Sequence, residues 1–109
     1  MGITKTDIFN KQQNELATML KALGHPARIA ILQHIIKKQS CICNDLVNEI
    51  PLAQATISQH LKELKAIGII QGNVEGTSMC YCINEKAWAR LHKQLDAFFN
   101  VNLNLPKCC

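Results

Sequence analysis

The sequence has no apolar run that approaches the roughly 20 consecutive residues a membrane-spanning helix needs. Its first residues, Met1 to Thr6, contain no apolar signal core, so we expect a cytoplasmic protein that does not act at a membrane. Charged residues amount to only 18% while apolar residues reach 48%, which excludes a disordered chain. Internal repeats and low-complexity segments are absent as well. What remains is a single globular domain within 109 residues.

The charge balance is mildly basic, with a net charge of +4 and an isoelectric point near 8.8. Such a balance permits a nucleic-acid partner without demanding one. The class of partner therefore has to come from the motifs.

Cysteine is the residue in excess, and its six copies form three close pairs. They are Cys41 with Cys43, Cys80 with Cys82, and Cys108 with Cys109. Without a signal peptide the thiols should be reduced, which favours metal binding or redox chemistry over disulfide staples. Two cysteines at i and i+2 on a strand also lie about 6.5–7 Å apart, at or beyond the reach of a relaxed disulfide. Thiolates prefer arsenic, antimony, cadmium, lead and copper(I).

Apolar spacing and capping residues predict the element order helix, helix, helix, helix, hairpin, helix. The first helix is expected to end at Gly24 and the second to begin at Pro26. The third is expected to span Asn44 to Ile50, and the fourth to run from about Gln54 to Ile67. The hairpin strands are expected at Ile69 to Gln71 and Met79 to Ile83, joined through Gly72 and Gly76, with Asn84 capping the last helix.

This order predicts a mostly α fold with a small β-hairpin wing, the winged helix-turn-helix. We expect residues 1–100 to form this DNA-binding and dimerisation domain, followed by a loose tail, 101–109, that carries the last cysteine pair. The first and last helices carry more apolar surface than so small a core needs. We therefore expect them to form the interface of a two-fold homodimer.

The fourth helix has the polar character of a helix that reads DNA. Short polar side chains in the first turns suit base edges, and lysines one or two turns later suit phosphates. The candidate DNA-binding residues are Gln54, Thr56, Ser58, Gln59, His60, Lys62 and Lys65. At the hairpin tip, Asn73, Thr77 and Ser78 could reach the flanking DNA backbone. The alternative is an ordinary amphipathic surface helix, which the periodicity alone does not distinguish.

Two stretches of sequence, Leu23 to Leu32 and Ala55 to Ile70, closely resemble the ArsR/SmtB family of bacterial metal-responsive repressors. The second stretch carries the Ser-Gln-His-Leu-Lys-x-Leu core of that family. The resemblance covers about Leu16 to Leu95 and implies a homodimeric winged-helix repressor that leaves an inverted-repeat operator when it binds its inducer. One departure is Ala53, where the family usually has a serine at the helix cap.

The first cysteine pair looks like the Cys-x-Cys that thiolate-sensing members carry ahead of the third helix. The resemblance implies that Cys41 and Cys43 are the first ligands of As(III) or another thiophilic ion, with no organic cofactor. Val47 stands near the place of the third cysteine in arsenic-type members, so a third ligand must come from elsewhere. It could come from the tail pair, Cys108 and Cys109, or from the wing pair, Cys80 and Cys82. Each of these cysteines could also be a small packing residue.

A zinc site of the family's other type is not expected on the last helix. Glu85, His92 and Asp96 lie there without the paired spacing that such a site needs.

Three rival functions stay open at this point. The nearest is a thiol redox-sensing repressor on the same scaffold, in which oxidation replaces metal binding. A second is a small thiol enzyme or metal-transfer protein, although the sequence has no Cys-x-x-Cys motif. The third is a winged helix that binds only proteins.

Overall fold

The computed structural model describes residues 8–42, 49–75 and 78–106. The predicted short helix from Asn44 falls largely on residues outside these ranges, as do Cys43, Gly76, Thr77, Cys108 and Cys109. Within the described ranges the element order is α1 (Lys11–Leu23), α2 (Pro26–Lys38), α3 (Gln54–Ala66), β1 (Ile70–Glu75), β2 (Ser78–Ile83) and α4 (Glu85–Phe99). These four helices and the antiparallel hairpin confirm the winged helix-turn-helix fold.

The helix starts follow from their capping residues. Asn10 forms a capping box with Gln13, in which each side chain accepts a hydrogen bond from the other residue's backbone N–H. His25 caps α2 through its ring nitrogen, and Asn84 caps α4. Ala53 precedes α3 and makes no side-chain cap, as its type dictates. A missing cap typically costs about 1 kcal/mol, so α3 depends on its packing for stability.

The core is built mainly from α2 and α3, with the start of the hairpin packed across them. Its buried members are Ile31, Leu32, Ile35, Ile42, Ile50, Ile57, Leu61, Leu64, Ile69, Ile70 and Leu91. Helical spacing in the sequence of α2 predicts that Ile29 and Ile36 are buried, but both are about half exposed, and Ile31 is buried in the core instead. The same spacing predicts an apolar stripe on α3 formed by Ile57, Leu61 and Leu64, and all three are buried.

Chain geometry at two glycines sets the position of the wing. Gly68 has a φ of +85°, a left-handed conformation that lets the chain leave α3 and enter β1 directly. Gly72 was expected in the connection between the strands, but it lies inside β1 and pairs with Tyr81. The wing strands are therefore longer than their apolar pattern indicated, because β1 continues through the polar residues Asn73 and Glu75.

A third segment adds to the wing on the free edge of β2. Ile42 forms an antiparallel bridge with Tyr81, in which each backbone N–H donates to the carbonyl oxygen of the other residue, at 2.9 and 2.7 Å. The chain just after α2 is thereby fixed to the strand that leads into α4. None of the described helices is long and apolar enough to cross a membrane.

Candidate nucleic-acid interface and thiol site

The outward face of α3 presents the polar residues expected to read DNA. Six of the seven candidates are exposed: Gln54, Thr56, Ser58, Gln59, Lys62 and Lys65. Gln59 donates to the Glu63 carboxylate one turn later, at 3.0 Å, so its amide is held along the helix surface. Because the buried stripe fixes the opposite face, these side chains share one solvent-facing surface.

His60 is the exception among the candidates, since only 9% of its surface is exposed. Arg28 on α2 donates from Nε to His60 Nδ1 at 3.1 Å and from a terminal nitrogen to the Ala22 carbonyl oxygen at 2.9 Å. The ring of His25 lies 4.5 Å from the His60 ring, centroid to centroid. His60 therefore faces away from the exposed polar surface of α3 and joins α3 to the ends of α1 and α2.

The surroundings of His60 lower its pKa below the usual value of 6.5. Burial is the main cause, and the positive charges of His25 and Arg28 add to it. Its hydrogen bond with Arg28 also requires an unprotonated Nδ1, because the arginine can only donate. The folded state thus holds this ring in its neutral form.

A pH dependence of stability follows from this lowered pKa. As the pH falls below about 6.5, the unfolded chain takes up a proton that the folded chain resists, so the free energy of unfolding should decrease. Above that pH the group contributes no dependence. Urea unfolding at pH 7.5, 6.5 and 5.5 measures the slope, which His60→Gln should flatten. His92→Gln, on the exposed surface of α4, is the matched control; equal slopes in all three proteins would contradict the assignment.

The described cysteines come together across the wing. Cys41 and Cys82 form a disulfide, with their Cα atoms 4.3 Å apart. Cys80 is disulfide-bonded as well, and its side chain is fully buried. The expectation of reduced thiols, which rested on the missing signal peptide and on the spacing within each pair, is therefore not met: the structure joins cysteines from different pairs. The bridge between Ile42 and Tyr81 brings Cys41 and Cys82 together. No pattern in the local sequence predicts this bridge.

The side-chain amide of Asn73 donates a hydrogen bond to Cys82 Sγ at 3.7 Å. No group of three or more Cys, His, Asp or Glu side chains that could hold a metal occurs among residues 8–42, 49–75 and 78–106.

The helices α1 and α4 form the remaining surface of interest. Arg90 on α4 pairs with Glu15 on α1 at 3.0 Å. A groove between these helices is lined by apolar residues that include Leu16, Leu20 and Phe98, together with polar ones that include Gln13 and Lys93. Phe98 and Phe99 are 59% and 72% exposed, which is unusual for phenylalanine in a monomeric protein.

Comparison with known proteins gives the chain its context. A family model described as a helix-turn-helix domain matches residues 23–72. The HTH-type transcriptional repressor SmtB of Mycobacterium tuberculosis is 38% identical over 79 residues, which cover 72% of this chain and 56% of the relative. This chain thus spans only about half the length of that relative.

Two further proteins match over more of their length. The arsenical resistance operon repressor of Staphylococcus xylosus is 30% identical over 82 residues, covering 75% of this chain and 78% of the relative. The crystal structure of the transcriptional repressor BigR from Xylella fastidiosa superposes with a TM-score of 0.64 at 28% identity. That superposition covers 92% of this chain and all of the other.

Proposed function

Because the chain belongs to the ArsR/SmtB family of winged helix-turn-helix transcriptional regulators, we propose that it is a DNA-binding repressor released from its operator by a thiophilic metal or metalloid. The inducer we propose is As(III). Relatives of the chain are named as repressors, so it is a regulator and not an enzyme. We propose that it acts on DNA in the cytoplasm.

The observation that carries DNA binding is the exposed polar surface of α3. Its amides and hydroxyls, on Gln54, Thr56, Ser58 and Gln59, suit base edges in the major groove, and its lysines suit phosphates. His60 supports this surface from the buried side through Arg28 rather than contacting DNA itself.

The exposed phenylalanines and the groove beside them support dimerisation through α1 and α4. A two-fold dimer would place two copies of α3 in successive major grooves, about 34–36 Å apart. The operator is then an inverted repeat. A small change in the relation between the two copies would lose contacts on both half-sites, and allosteric couplings of about 1–3 kcal/mol are enough for release.

The choice of As(III) rests on thiolate chemistry and on the relative named as an arsenical resistance repressor. Cys41 and Cys43 are the proposed first ligands. Both precede α3 in the chain, so an ion bound there would act on the segment that leads into the proposed DNA-reading helix.

The test is fluorescence anisotropy of the dithiothreitol-reduced protein on a labelled duplex of its own upstream promoter, titrated with arsenite. We expect release at about one arsenite per subunit, and Cys41→Ser should need at least tenfold more arsenite for release. Tight binding that does not respond to arsenite would refute the inducer and leave DNA binding intact. No binding to any promoter fragment would refute the repressor itself.

The disulfide between Cys41 and Cys82 favours a second candidate, a redox-sensing repressor. Two thiols would lose two protons and two electrons to hydrogen peroxide, forming the disulfide and two molecules of water. In that case peroxide releases DNA, dithiothreitol restores binding, and arsenite has no effect on the reduced protein.

A further inference from the structure

Backbone pairing forces two cysteines that are distant in sequence to face each other. The residues that flank a hydrogen-bonded antiparallel pair oppose one another without hydrogen bonds, with Cα atoms about 4.5 Å apart. Cys41 and Cys82 flank the pair of Ile42 and Tyr81 in this way, and their Cα distance of 4.3 Å agrees. The two sulfurs therefore lie on the face of the wing opposite to Ile42 and Tyr81.

The two sulfurs differ in exposure, and this makes the pair accessible from one side. Cys41 is exposed and Cys82 is partly buried, so a small solute from solvent reaches the first and then the second. The Asn73 amide that donates to Cys82 Sγ would stabilise a thiolate there. On reduction, the pair is a ready-made chelate for a soft ion.

We propose that Cys82 on the wing strand and Cys41 of the same subunit are ligands of one metalloid ion, so that the inducer site joins the loop after α2 to the wing. This inference rests on the proposed function, and it assigns to the wing the ligand that the Cys-x-Cys pair lacks. The reaction exchanges oxygen for sulfur without any change of oxidation state. Arsenite, As(OH)3, forms two As–S bonds and loses two As–O bonds, and each thiol proton leaves with a hydroxide as water.

The third As–O bond is replaced in the same way by one further thiol. Residues 8–42, 49–75 and 78–106 assemble no group of three ligands, and the remaining thiols of the chain are Cys43, Cys80, Cys108 and Cys109. Cys43 is the cysteine nearest in sequence, one residue after the bridged Ile42. We expect Cys43 or Cys80 to supply this thiol rather than the tail pair, because each is two residues from one of the two proposed ligands.

An ion in this position would be connected through the wing to α3, the helix proposed to bind DNA. One ligand lies ahead of the DNA-reading unit, and the other lies on β2, which pairs along its other edge with β1. β1 in turn begins four residues after the end of α3 and packs against that helix. An ion across Cys41 and Cys82 would therefore fix the loop, the wing and α3 relative to one another.

The experiment compares three reduced proteins: the wild type, Cys82→Ser, and the double variant Cys108→Ser/Cys109→Ser. Each is titrated with arsenite while promoter anisotropy and the near-ultraviolet sulfur-to-arsenic absorbance are recorded. We expect Cys82→Ser to bind DNA normally without arsenite, to need at least tenfold more arsenite for release, and to lose much of the absorbance. The double variant should behave as the wild type.

The outcomes separate the two proposals. If the wild type responds to arsenite and Cys82→Ser responds equally, this inference is wrong while the proposed function stands. A loss confined to the tail variant would likewise overturn it and move the third ligand to the tail. If the wild type itself ignores arsenite, the proposed inducer and this site fail together. Cys82→Ala provides a second variant should the serine disturb folding.

Discussion

Replacing Leu64 with alanine is expected to lower the free energy of unfolding by about 2–5 kcal/mol. Leu64 has no exposed surface and lies on the buried stripe of α3, in contact with the core formed by α2 and the hairpin. The substitution removes three carbon atoms and leaves a cavity that neighbouring β-branched side chains fill poorly. Since small domains are stable by only about 5–15 kcal/mol, the loss is a large fraction of the total.

Urea denaturation followed by far-ultraviolet circular dichroism measures this effect, with Leu52→Ala as the control. Leu52 is 37% exposed, so the same chemical change should cost less than half as much there. The comparison tests the packing of α3 in particular, because this helix has no side-chain cap to support it. Equal losses in the two variants would mean that Leu64 is not the core residue described.

Placing a carboxylate at Ser58 is expected to abolish DNA binding, with a loss of at least 100-fold in affinity. Ser58 lies on the exposed face of α3, and Ser58→Glu would direct a negative charge at the phosphates and base edges. Like-charge contacts at an interface cost several kcal/mol, and a dimer would have two of them. The side chain is exposed, so the fold should tolerate the change.

Anisotropy on the promoter duplex at fixed salt measures this loss, and Gln33→Glu is the matched control. Gln33 is exposed on α2 and the substitution changes the net charge by the same amount. A comparable loss in both variants would indicate a general charge effect and would contradict the assignment of α3 as the DNA-reading helix. Arsenite binding, followed by the sulfur-to-arsenic absorbance, should be the same in Ser58→Glu as in the wild type because the thiols are intact.

Local signals in the sequence were enough to predict most of the fold. Pro26 and Asn84 lie at the helix starts they predicted, and the apolar stripe of α3 is buried as expected. These features depend on residues only a few positions apart, which is why periodicity and capping rules reveal them. The inward position of Ile31 was missed because α2 is apolar on more than one face, and periodicity does not choose between them.

The site residues were harder to predict because they depend on contacts between distant segments. From the sequence alone, His60 is expected to be an exposed polar residue. Its burial depends on its contact with Arg28, which lies 32 residues earlier. Cys41 and Cys82 each have a near neighbour in sequence, but the sulfur that each one meets is 41 residues away. A single backbone bridge at Ile42 decides that pairing, and nothing in the residue itself indicates it.

The same separation between Cys41 and Cys82 has a consequence for the unfolded chain. All of α3 and β1 lies between these two cysteines, so any link between their sulfurs closes a loop of 41 residues around the DNA-reading unit. By the chain-entropy relation, closing a loop of that length with a covalent link raises the free energy of the unfolded ensemble by about 4 kcal/mol. The agent that takes the protein off DNA would thus also protect it from unfolding and proteolysis. If the proposed site is correct, the released protein would persist in the cell, and the same molecules would bind the promoter again once the inducer is gone.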